Sequence, residues 1–91
     1  GRFRIMSNRE SGFWRYDIML VPVDQEKDNA YIIEFKVRKP AKEKGLEETV
    51  KHALNQIEEK QYAVQLISEG MRPDQIRKYG FAFAGKTCLI G

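Results

Sequence analysis

A single cysteine in 91 residues excludes an internal disulfide and suits a reducing compartment, the cytoplasm. Cys88 stands in the apolar run TCLI with no base near it in sequence, so it reads as a small buried hydrophobe rather than a nucleophile. No apolar stretch approaches the ~20 residues that a membrane-spanning helix needs, so no membrane partner is expected. The opening GRFRIMSN has no signal-type apolar core, and Met6 is the first methionine. A piece of a larger protein is the expectation. No internal repeat, low-complexity segment or linker divides the chain, so residues 1–91 should form one domain. A chain this short buries only about 60–65% of the surface its unfolded form exposes. Charge of one sign is scarce too. Sixteen Lys and Arg against 13 Asp and Glu leave +3, too little to mark a nucleic-acid binder by itself.

The distribution of that charge is more informative. Arg38, Lys39, Lys42 and Lys44 cluster in one stretch, and Arg2, Arg4, Arg9 and Arg15 lie near the start. Between and around them, apolar patterning sets out the elements. Residues 2–7 read as a first strand, SNRESG as a turn, and Phe13 to Val23 as a second strand. A polar connection leads into a third strand, Ala30 to Arg38, which Pro40 ends. From Leu46 the period becomes helical. Leu46, Val50, Ala53, Leu54, Ile57, Val64 and Ile67 mark one long amphipathic helix that Gly70 stops. MRPDQIRK reads as a second short helix, with Pro73 and Asp74 in its first turn. YGFAFAGKTCLIG supplies two closing strands around Gly85-Lys86. The order is β-β-β-α-(α)-β-β, an α/β domain that opens on a three-strand meander.

Asp17 in RYDIMLVP and Glu34 in AYIIEFKV fall in mid-strand on consecutive strands, with large apolar neighbours. Strand side chains alternate faces, so Glu34 and Lys36 share one face while Ile33, Phe35 and Val37 share the other. Aspartate is depleted in strands, and an unpaired carboxylate is costly to bury, so a metal, a basic partner or water must compensate. Asp17 and Glu34 are hard oxygen ligands of the kind Mg²⁺ or Mn²⁺ prefers. The carbonyl of Phe35 would add a ligand, and Lys36 would orient a water or hold a phosphate. The bland reading is a solvated face on which Glu34 pairs with a lysine.

The pattern YDI…P…IIEFKV resembles the motif of the PD-(D/E)XK nuclease superfamily. The blocks SNRESGFWRYDIMLVP, AYIIEFKV, ALNQIEEKQYA and YGFAFAGK follow one another as in the C-terminal nuclease-like domains of bacterial and archaeal AAA-ATPase-like proteins. The resemblance covers most of residues 5–87. It implies a restriction-endonuclease-like mixed sheet with one long helix, and roles for single residues. Asp17 and Glu34 would bind Mg²⁺ or Mn²⁺, Lys36 would be the catalytic lysine, and Gln56 would be a further catalytic residue on the helix. Lys60 lies one turn beyond Gln56 and could reach the site, and Tyr62 would match a tyrosine of related nucleases. Arg15, Arg38, Lys39 and Lys60 would contact nucleic acid, expected to be DNA. His52 reads as a surface residue.

Two departures qualify this. Trp14 stands where such domains carry a glycine, and the helix that normally opens the fold and covers the sheet is missing, with Glu10 a poor substitute for its acid. One sheet face should then be apolar and open, which implies a homo-oligomer, association with a preceding part, or an AAA-type ATPase domain in the same protein. The expected function is metal-dependent hydrolysis of nucleic acid. The alternatives are a non-catalytic nucleic-acid-binding or protein-interaction module, and a plain assembly domain with Glu34 and Lys36 salt-bridged at its surface.

Overall fold

The structure is a computed structural model that describes residues 2–10 and 15–91, with backbone alone at 8–10 and 15. Five strands form one mixed sheet in sequential order: β1 (Phe3–Glu10), β2 (Arg15–Pro22), β3 (Ala30–Val37), β4 (Ile76–Ala84) and β5 (Thr87–Ile90). The neighbours are antiparallel except β3 and β4, which are parallel. A parallel pair needs a crossover, and helices α1 (Leu46–Lys60) and α2 (Tyr62–Ser68) supply it. The meander, the mixed sheet and the closing hairpin match the α/β fold class that the sequence implies.

The differences have local causes. β1 runs on through Asn8, Arg9 and Glu10, which pair with Asp17, Tyr16 and Arg15, so most of the stretch read as a turn is strand. Trp14 lies outside the described residues. The MRPDQIRK helix is absent. Pro73–Gln75 form one 3-10 turn, and Ile76 already belongs to β4. Gln75 explains the exchange: its side-chain amide donates to the carbonyls of Gln25 (2.8 Å) and Asp28 (3.1 Å), tying the entry of β4 to the β2–β3 connection. Cys88 is exposed on the edge strand rather than buried.

The long helix breaks at Gln61, whose φ of 58° is left-handed. That residue rotates the second segment relative to the first. Ile57 and Ala53 on α1 stay buried, but Val64 (59% exposed) and Ile67 (41%) leave the expected stripe and Leu66 replaces them. The core beneath the helices consists of Met19, Val21, Ala30, Ile32, Ile57, Leu66 and Met71.

α1 lies close to the sheet where β4 has Gly80. A Cβ there would stand 3.0 Å from the Val50 carbonyl oxygen and 3.1 Å from the Ala53 Cβ. Among the described residues, no helix lies on the other sheet face. It carries Tyr16, Ile18, Leu20, Ile33, Phe35, Phe81 and Phe83, none of them fully buried, with the Tyr16 and Phe35 rings stacked at 4.6 Å. The open apolar face expected from the sequence is therefore present among the described residues. Gly80→Ala should lower stability by about 1–3 kcal/mol, the usual cost of an overpacked contact. Urea denaturation measures it, and an unchanged midpoint would mean that α1 can lift away from β4.

Candidate metal and nucleic-acid site

Strand register brings the two motif acids together. Asp17 and Glu34 are direct cross-strand partners in the antiparallel β2–β3 pair, a position that sets Cβ atoms about 4.5–5.5 Å apart on one face. That face lies under the helices. Asp17 is 3% exposed and Glu34 0%. Two like charges so close and so dry cannot both ionise cheaply unless a cation joins them.

Lys60 provides one. At the end of α1 its ammonium donates to Asp17 Oδ2 and, at 3.2 Å, to Glu34 Oε1. The Tyr62 hydroxyl donates to Asp17 as well, 3.3 Å from Oδ2 and 3.4 Å from Oδ1. Residues two apart in a continuous helix do not face the same way. The left-handed Gln61 is what lets Lys60 and Tyr62 converge on one carboxylate.

Lys36, on the face of Glu34, is buried too, and its ammonium donates to Glu43 Oε2 at 2.6 Å. This disposes of the surface-pair reading, in which Glu34 and Lys36 bridge in solvent. A cleft of about 220 Å³ opens beside Lys36 and is lined also by Lys39, Lys42, His52, Asn55 and Gln56. The basic stretch after β3 therefore borders the cleft that holds Lys36, whereas Asp17 lines a separate hollow with Met6, Ser7, Met19 and Tyr62. Gln56 donates to Glu59 (2.9 Å) within the cleft wall. Arg38 is engaged structurally, donating to the carbonyls of Glu43 and Lys44 at 3.0 Å each. Phe35 has its side chain on the open face, and its backbone belongs to an interior strand flanked by β2 and β4. The side chains of Arg15 and Glu10 lie outside the described residues.

Glu43 is the residue that sequence reading missed. It is 1% exposed, and its carboxylate also takes hydrogen bonds from the Lys39 backbone N–H (2.7 Å), the Thr49 hydroxyl (3.1 Å) and His52 Nδ1. His52 is half exposed, so its ring is at the surface while one nitrogen reaches inward. A signal did exist: Glu43 is the one acid between Arg38 and Lys44, among four bases. Burial pushes its pKa up, but the Lys36 ammonium first, then Lys39 N–H, His52 and Thr49, outweigh that and hold it at about 2.

The family model of the PD-(D/E)XK nuclease superfamily matches residues 1–91, the whole chain. The chain belongs to this superfamily. No curated protein and no solved structure gives a significant match. Nucleases of this superfamily generally use divalent metals, and a nuclease fold suggests nucleic acid as partner. The Asp17–Glu34 pair fits such an ion, because two hard, buried carboxylates already converge on one cation, the Lys60 ammonium. Among the described residues, no group of three or more His, Cys, Asp or Glu side chains gathers as a ligand set, so the protein would hold the ion through few direct ligands. No described helix is long and apolar enough to cross a membrane.

Two predictions follow from this geometry. Lys60→Met strips the bridging cation from two buried carboxylates and should cost roughly 3 kcal/mol of stability without metal. Mn²⁺ should then raise the melting temperature more in the variant than in wild type; equal gains would show that Lys60 and the metal do not compete. Glu43 governs the acid limb. Its folded-state pKa lies below the ordinary 4.5, so its stabilisation is present above about pH 4.5 and is lost as pH falls towards 2, where the unfolded chain has already taken up the proton. That share is about 3 kcal/mol. Glu43→Gln should flatten the loss of urea stability between about pH 5 and pH 3; an unchanged slope would count against it.

Proposed function

We propose that this domain is a metal-dependent nuclease that hydrolyses phosphodiester bonds of nucleic acid, DNA in the first instance, with Mg²⁺ or Mn²⁺. The observation that carries the reading is the pair of buried carboxylates, Asp17 and Glu34, aligned across adjacent strands and converging on a single positive charge. Asp17 and Glu34 would hold the ion, with the Phe35 carbonyl as a further ligand. When bound, such an ion polarises a phosphoryl oxygen and lowers the pKa of a coordinated water.

The other residues do the positioning. Lys36 presents an ammonium at the cleft, where it would hold the attacked phosphate or orient the attacking water as a point charge. Gln56, on the same cleft, would fix the water or a phosphate oxygen by hydrogen bonding. Lys39 and Arg15 would track the backbone phosphates, and Arg38 would act mainly by fixing the loop that carries Lys39. Lys60, which bridges the two carboxylates, would give that place up to the ion and could then contact a substrate phosphate. A single exposed thiol, Cys88, persists best in a reducing cytoplasm. The open aromatic face supports a covering partner, and the sequence resemblance points to an AAA-type ATPase in the same protein.

The test is cleavage of supercoiled, linear and single-stranded DNA by the protein with Mg²⁺ or Mn²⁺. Asp17→Asn and Glu34→Gln should each lower the rate at least about a hundredfold and abolish Mn²⁺ binding in calorimetry. Binding of DNA without metal, steeply weakened by salt and never followed by cleavage, would replace this reading with that of a non-catalytic module.

A further inference from the structure

The chain buries a third carboxylate, which the proposed chemistry does not use. Glu43 is held from both sides. Lys36 and His52 donate to Oε2, while Thr49 and the Lys39 backbone N–H donate to Oε1. Its backbone is fixed too, because Arg38 Nε donates to the Glu43 carbonyl at 3.0 Å. Thr49 belongs to the first turns of α1 and Lys36 to the end of β3, so one carboxylate ties strand, loop and helix. Such over-determination is far more than a loop of this length needs to stay in place.

Charge shows what the arrangement achieves. Lys36 lies two residues from Glu34 on the same strand face, within reach of the Asp17–Glu34 pair for a flexible lysine stem. Counting these side chains alone, the two acids with Lys60 sum to −1. A second ammonium would bring the sum to zero, and a divalent ion would then have two ammoniums rather than one to displace. Glu43 instead neutralises Lys36 locally by a short, charge-assisted bond.

We propose that Glu43 is a positioning residue: it holds the Lys36 ammonium at the cleft beside Gln56 and off the Asp17–Glu34 pair, leaving that pair for another cation. The inference rests on reading Asp17 and Glu34 as a divalent-ion site.

Calorimetric titration with Mn²⁺ tests it through a double-mutant cycle. Glu43→Gln should weaken Mn²⁺ binding about tenfold, because Lys36 then moves onto the carboxylates. Lys36→Met should not weaken it, and the double variant should bind like Lys36→Met. A double variant as weak as Glu43→Gln would overturn the proposal, since the effect would then not pass through Lys36. Unchanged affinity in Glu43→Gln would overturn it equally. Circular dichroism confirms that each variant is folded. Should Glu43→Gln fail to fold, the ¹⁵N-lysine spectrum of the wild type decides. A slowly exchanging ammonium signal that is lost in Lys36→Met, distinct from any of the partly buried Lys60, is expected, and exchange of the Lys36 ammonium like that of surface lysines would overturn the proposal. Absence of Mn²⁺ binding in the wild type would refute the metal site itself, and the lysine spectrum would still report whether Glu43 holds Lys36.

Discussion

Two carboxylates placed opposite each other beneath a helix are the constraint on which the rest of this molecule depends. Apolar burial alone would never put Asp17 and Glu34 there, because each would be more comfortable in water. The meander fixes them in register, the core of Met19, Val21 and Ile32 on the same face keeps water out, and a cation has to be delivered from elsewhere. The crossover helices deliver it. Seen this way, the break at Gln61 is no irregularity of the helix. A left-handed residue that is not glycine costs about 1–2 kcal/mol, and it persists where surrounding contacts over-determine it. Lys60 and Tyr62 on one side and Leu66 on the other are those contacts.

The same constraint orders the charges around the site. Lys36 is buried and Lys60 partly buried beside acids, but they answer to different ones, Lys36 to Glu43 and Lys60 to the motif pair. A lysine two residues from a motif acid does not have to bond with it. The loop between β3 and α1, with its run of bases, works as a rigid bracket rather than as a flexible basic arm, because Arg38 and Glu43 fasten it from opposite ends.

What was legible in the sequence follows the range of the interactions involved. Strand alternation is local, so the shared face of Glu34 and Lys36 and the mid-strand place of Asp17 could be read from spacing. The order of elements gave an α/β domain that opens on a meander, while the mixed sheet and its open apolar face came from the family resemblance and the first helix it lacks. The break at Gln61 could not be read, because glutamine is a good helix former and Val64 and Ile67 continue the helical period. Only the tertiary pull of Asp17 and the core on Lys60, Tyr62 and Leu66 decides it. Gln75 is a similar case, since its partners Gln25 and Asp28 are some fifty residues away. Glu43 stands out locally only as the one acid among four bases, and the residues of a strand and a helix that bury it lie outside that stretch.

The termination of α1 at this spot has one more effect. A helix carries roughly half a negative charge at its carboxyl end, concentrated on the carbonyls of its last turn. Here that end stands within one lysine side chain of two buried carboxylates. Around it the carboxylates of Asp17, Glu34 and Glu43 outnumber the ammoniums of Lys36 and Lys60 by one, so the centre of a basic domain is a well of net negative charge, with Lys39 and Lys42 at its rim. A polyanionic strand would be drawn to the rim and repelled from the centre until a positive ion occupies it. On the proposed function, occupancy of the well would set the depth to which a nucleic-acid backbone can settle into the domain.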